Sequence, residues 1–198
     1  MGLCYAKWDV IGMEPDIQKT DRSRRRRWGA SLKDVGSGRM ERYMTRTNAR
    51  EIAVHFAYEL GFSPLSAQEL LDDQLTEENF ANLAKDEELY QEFPDPKQLA
   101  YIRRVVNGVG DHGYELDSYI EKYAVGWKFE RIPRVAAAIM RVAMYEAMYM
   151  PEVPKRVAMN EAINLAKKYE DEKVVSFVNG ILGSFVRNEV PDEEAKQQ

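Results

Sequence analysis

Asn48-Ala49-Arg50-Glu51-Ile52-Ala53-Val54-His55-Phe56-Ala57-Tyr58-Glu59-Leu60-Gly61 is the stretch that decides the fold class. Ala49, Ile52, Ala53, Phe56, Ala57 and Leu60 recur at spacings of three and four, which puts them on one face of an α-helix. Asn48 is placed to cap that helix through its side-chain oxygen, with Glu51 three residues on as the other half of a capping-box-like pair. Gly61 ends it, since glycine accepts positive φ at little cost.

The same period continues outward. Ser63-Pro64 restarts a helix, with serine as cap and proline in the first turn. Short helical pieces follow to Phe93, broken at Asp72-Asp73 and at Asp86, and Pro94 and Pro96 bracket the next boundary. One long helix is expected from Pro96 to Tyr123, with Leu99, Ile102, Val106, Val109, Leu116, Ile120 and Tyr123 as its buried stripe. Gly108, Gly110 and Gly113 within it mark close packing or a kink, because each weakens a helix by about 1 kcal/mol against alanine. After Gly126, Pro133 opens a helix through Ala147 whose buried positions include Val135, Ile139, Val142 and Ala143. Pro151 and Pro154 close that segment. Helices over Arg156–Tyr169 and Val174–Arg187 complete the chain, the last with Val178, Ile181, Leu182 and Phe185 inward. No segment alternates as a half-buried strand does. The expectation is an all-α protein, a compact bundle of six or seven helices with short connections.

Composition bounds the rest. The chain has 198 residues, 44% hydrophobic and 31% charged, enough for one domain with a true core. No apolar run reaches the roughly 18 residues of a membrane helix. The N-terminus lacks the apolar region of a secretory signal, so a cytoplasmic location is expected. One cysteine, Cys4, and two histidines, His55 and His112, exclude a disulfide framework and a cysteine or histidine metal centre. No phosphate-binding loop, nucleophile elbow or dinucleotide fingerprint occurs, so neither catalysis nor a cofactor is expected. His55 and Glu59, spaced i,i+4, read as a surface pair. Asp111, His112 and Glu115 read as a solvated helix face, as does the acid-rich stretch Glu69–Asp95, with a partner surface as its alternative.

The net charge of −5 divides unevenly: residues 1–43 carry +4 and residues 44–198 carry −9. The first segment, with its Arg24–Arg27 run and scattered glycines, reads as a basic, disordered extension. The pattern changes at Met44, which marks an alternative start for the native protein. The tail 189–198 is polar. Arg42, Arg46 and Arg50 cluster where the first helix begins, where fork-shaped guanidinium groups and free helix N–H groups both favour phosphate. Near the other end, Phe177 lies at the edge of the apolar face beside Lys173 and Ser176, placed either to stack on an unpaired base or to pack in the core.

Four segments carry a resemblance. Thr45-Arg46-Thr47-Asn48-Ala49-Arg50-Glu51 resembles the arginine-rich motif of the bacterial transcription antitermination factor family NusB. Met140-Arg141-Val142-Ala143-Met144-Tyr145-Glu146 is similar to that family's LR-x-A-x-YE helix. The stretch from Val153-Pro154 through Asn160-Glu161-Ala162 to Lys167 resembles its VP-x-x-VAINEAIELAK segment, and Phe177-Val178-Asn179-Gly180-Ile181-Leu182 its FVNG signature. The resemblance spans about residues 44–188 and implies two small helical bundles. It also implies no catalysis, binding to boxA-type RNA of rRNA operons, and pairing with NusE, a small-subunit ribosomal protein, within the RNA polymerase antitermination complex. By position, it makes Arg46, Arg50, Lys173, Ser176 and Phe177 the RNA contacts, with Arg42 or the upstream Arg24–Arg27 run to compensate where Thr47-Asn48 replaces consecutive arginines.

Arg141, Glu146, Asn160 and Glu161 also belong to these motifs, but they lie amid apolar helices, where a charge requires a partner. Arg141 is expected to pair with Glu161 or Glu146, and Asn160 to tie the backbone of the Val153–Val157 turn. Two other functions stay open: a protein-interaction module that has lost RNA binding, and the RNA-binding partner of a separate rRNA cytosine methyltransferase. An exposed apolar helix edge also leaves a homodimer face open.

Overall fold

The protein is described by a computed structural model covering residues 31–33, 41–127 and 131–190. Most of the 1–43 extension and the tail beyond residue 190 therefore lie outside the described residues. Within the extension, strand β1 (Ser31–Lys33) pairs antiparallel with strand β2 (Glu41–Tyr43), Leu32 opposite Arg42. Among the described residues, everything after β2 is helical or connecting chain.

Helix α1 spans Arg46–Leu60 and begins two residues before the expected cap. Thr45, not Asn48, holds the extended cap conformation, and its Oγ1 accepts the Asn48 N–H at 3.1 Å. Helix α2 (Ala67–Gln74) starts from a reciprocal capping box, Ser66 with Glu69, rather than from Ser63-Pro64. Helix α3 (Glu77–Leu83) is capped by Thr76, and a 3₁₀ turn covers Glu88–Tyr90. Asp95 caps α4 (Pro96–Asp111).

The expected long helix is two: α4 ends at Asp111, and α5 runs Gly113–Tyr123. The apolar stripes of both halves are in phase, so periodicity alone carries no sign of the bend. At the bend, the His112 ring stacks on Tyr149 with centroids 4.2 Å apart. The redirected α5 packs on α6 (Arg134–Tyr149) and α8 (Glu172–Glu189), with α7 (Lys155–Tyr169) completing the bundle. Asp171 caps α8 through the Lys173 and Val174 N–H groups. Gly108 has a packing role: a Cβ there would lie 2.0 Å from Cζ of Tyr145, so glycine lets α4 and α6 approach.

α1 lies against α2, α4 and α6, while α5, α7 and α8 each pack on α6. One continuous core joins the two groups, with Ile52, Ile102, Ile139, Met140, Met144 and Phe185 among its fully buried members. Leu60, Leu99, Tyr123 and Val135, expected inward, are half-buried against it. α1 is enclosed almost all round: Ala49 through Val54 are all buried, Arg50 and Glu51 included. A helix with that environment must supply partners for its own charges. No described helix is long and apolar enough to cross a membrane.

Candidate nucleic-acid interface

Arg50 turns inward. Its Nε and Nη2 each donate to one carboxylate oxygen of Glu146, at 2.8 Å, and Nη1 lies 3.5 Å from Glu161. Glu146 has no exposed surface, and Arg50 only 3%. Burial works against the Arg50 charge, but the hydrogen bonds and charge of Glu146 outweigh it and raise its pKa above the ordinary guanidinium value. The Tyr101 hydroxyl also donates to Glu146, at 2.8 Å. Burial and the adjoining carboxylate push that phenol well above its usual range, so it remains a donor. Thr47 donates to Glu161 at 2.9 Å. This network ties the first turn of α1 to α4, α6 and α7.

The expectation that Arg50 faces a phosphate backbone therefore does not fit the geometry, because its fork is consumed by a buried carboxylate. Arg46, one turn earlier, is different. Its guanidinium lies 4.0 Å above the Tyr101 ring, and its Nη1 is enclosed without a hydrogen-bond partner among the described residues. Tyr101 thus supports the buried pair through its hydroxyl and the outer arginine through its face. Arg42 is in β2, and its side chain lies outside the described residues.

The other polar expectations are redistributed. Arg141 pairs with neither Glu161 nor Glu146; it grips Asp117 on α5, Nε to Oδ1 at 2.6 Å and Nη2 to Oδ2 at 2.9 Å. Glu146 and Glu161 are already engaged by α1, and α5 brings Asp117 within reach. Asn160 is exposed and makes no side-chain hydrogen bond among the described residues, so it does not tie the Val153–Val157 turn. His55 is not a surface partner of Glu59. Its two ring nitrogens lie 2.7 Å from the Tyr90 hydroxyl and 2.8 Å from that of Tyr169. Tyr169 and Lys168 both donate to Glu51. His112 and the Tyr149 hydroxyl converge on Glu115 at 3.0 and 2.6 Å, on a face where Asp111 is exposed and the His112 and Glu115 side chains are partly so.

On α8, Lys173 and Ser176 are exposed and Phe177 is half-buried, all within the first two turns. Phe177 packs against the core edge and also meets the Trp127 ring, centroids 4.7 Å apart. Trp127 is 47% exposed, so the pair offers aromatic surface to solvent. Sequence reasoning missed Trp127, which follows Gly126 at a positive φ of 82°. No hydrogen bond, ion pair or ring contact links this group to Arg46 among the described residues. Nor do any described His, Cys, Asp or Glu residues cluster as metal ligands.

Comparison with known proteins agrees with this architecture. Residues 47–187 match the NusB family. The transcription antitermination protein NusB of Thermoanaerobacter sp. (strain X514) is 37% identical over 150 residues, covering 76% of this chain and 96% of that protein. The same-named protein of Bacillus subtilis (strain 168) is 36% identical over 141 residues, covering 71% and 94%. The solved structure of T. maritima NusB is similar with a TM-score of 0.62 and 25% identity, covering 78% of this chain and 99% of that one. Arg50, Glu146 and Glu161, from three separate motifs, meet in one buried network inside the matched region, and with these matches the chain belongs to the NusB family of transcription antitermination proteins.

Proposed function

We propose that this protein is a non-catalytic RNA-binding antitermination factor that binds boxA-type RNA of rRNA operons together with NusE. The observation that carries the reading is Arg46. It is a cation held over the Tyr101 ring with no carboxylate partner among the described residues, in a body that carries −9 over residues 44–198. Arg46 contacts the phosphate backbone, while Arg50 acts one step behind it by fixing Tyr101 through Glu146. Lys173, Ser176 and Phe177 form the second contact, with Phe177 and Trp127 as the stacking surface. NusE joins on an adjoining face and brings the complex to RNA polymerase.

The test is RNA affinity for residues 1–198 and 44–198, with and without purified NusE. Three to five phosphate contacts give a slope of log affinity against log salt of about −2 to −3.5. A second reading, an interaction-only module, draws support from the withdrawal of Arg50 and Thr47 into the buried network. Absence of any boxA preference in either chain favours that reading. Copurification with a methyltransferase subunit favours a role in rRNA modification.

A further inference from the structure

Two shallow depressions meet at Arg46, and their walls differ in chemistry. One, of about 190 Å³, opens along α4 past Lys97, Ala100 and Arg104. The other, of about 200 Å³, opens toward the start of α7 past Val153, Pro154 and Val157. Arg46, Tyr101, Met150 and Glu152 line both.

The charges on the first wall do not cancel. Arg104 neutralises Glu152, Nη1 to Oε1 at 2.5 Å, and its Nη2 donates to the Tyr149 carbonyl at 2.6 Å. Lys97 is exposed, and among the described residues neither Lys97 nor Arg46 has a carboxylate partner. Arg46 further keeps Nη1 without an acceptor among the described residues. The second wall is apolar and fixed: Pro154 precedes α7, and Val157, in its first turn, is 44% exposed.

From this arrangement we infer that the double depression is a seat for one nucleotide of single-stranded RNA. The phosphate lies between Arg46 and Lys97, and the base lies on the Val153–Pro154–Val157 shelf. This rests on the RNA-binding reading and assigns to it residues outside the arginine-rich segment. An arginine fork beside a lysine point charge is the arrangement that holds a phosphodiester. An apolar shelf immediately beside it receives the flat face of a base without selecting its hydrogen-bonding edge. Lys97 also supplies, from α4, a cation that Thr47 and Asn48 do not supply on α1. An acidic peptide would use the cations but leave the shelf uncovered, which is why RNA is the better occupant.

The test uses the full chain and a short fluorescein-labelled boxA-type RNA, measured by anisotropy over a salt series. Lys97→Gln and Val157→Ser alter exposed positions, and thermal melts establish that both variants remain folded. Lys97→Gln is expected to weaken binding about 3- to 10-fold and make the salt slope shallower by about 0.7, one single-strand phosphate contact. Val157→Ser is expected to weaken binding about 2- to 5-fold with the slope unchanged. Its effect should vanish when one position of the RNA is abasic. If Arg46→Gln loses RNA while both other variants bind as the parent does, RNA binding stands and the seat is overturned. If the parent binds no RNA with or without the ribosomal protein, both fail. If the two variants lose the ribosomal protein but not RNA, the face is a protein interface and the seat is overturned.

Discussion

Arg50 and Glu146 meet side-on, two parallel hydrogen bonds of 2.8 Å between a guanidinium and a carboxylate that are both buried. Such a pair contributes little net stability relative to apolar residues of the same shape, yet breaking it is costly because one charge is left alone in the core. Arg50→Ala is therefore expected to destabilise the protein by about 3–5 kcal/mol. Arg50→Lys should fall only partly short of that, since an ammonium cannot make the two-pronged contact. Urea unfolding measures both. An Arg50→Ala protein of parental stability would show that the arginine is free for another partner.

The sequence points Arg50 at a phosphate, although its place on α1 carries a trace of its burial; the partner that holds it leaves none. At about 100° per residue, Arg50 lies only about 20° beyond Ala57 on the apolar face of α1. Glu51 lies about 160° from Ala49 and gives no such sign. It is buried because α7, more than a hundred residues away, places Lys168 and Tyr169 over it. Arg141 illustrates the same limit. That it needed an acid followed from its apolar surroundings, but the choice of Asp117 over Glu146 depends on how α5 leaves α4 at His112. Helix periodicity records which face is inward, and the partner across that face is set by the register of distant segments.

Acid should unfold this protein partly through His55. Burial between Tyr90 and Tyr169 lowers its pKa from 6.5 to about 4, with Glu51 opposing that shift and Lys168 adding to it. Between those values the unfolded chain binds a proton that the folded chain does not, so stability rises with pH there. The contribution is complete above pH 6.5 and is lost as pH falls toward 4; it is on the order of 3 kcal/mol. Urea midpoints measured from about pH 7 down to about pH 4.5 should drop more steeply for the parent than for His55→Gln. Parallel curves would remove His55 from the account.

Two glycines in neighbouring helices should respond oppositely to alanine. At Gly108 the added Cβ would meet the buried Tyr145 ring at 2.0 Å, and overpacking of this kind costs about 1–3 kcal/mol. That exceeds the gain of up to ~1 kcal/mol from helix propensity. At Gly113 the added Cβ meets nothing within 4 Å, so alanine should leave stability unchanged or raise it by a few tenths of a kcal/mol. Thermal unfolding of the two variants separates close packing from simple helix weakening.

Phe177 has two environments at once, the core edge beneath it and the Trp127 ring beside it. Phe177→Leu keeps most of the apolar volume and removes the aromatic face. If Phe177 stacks a base, RNA binding should weaken by about 1–2 kcal/mol. The salt slope should stay as it is, because no charge is removed. Trp127→Leu should produce a smaller loss, since Phe177 remains but loses the ring that holds it. A purely structural Phe177 predicts the converse, a lower midpoint of unfolding with unaltered RNA affinity. Measuring affinity and thermal unfolding on the same two variants therefore distinguishes a stacking surface from a core edge.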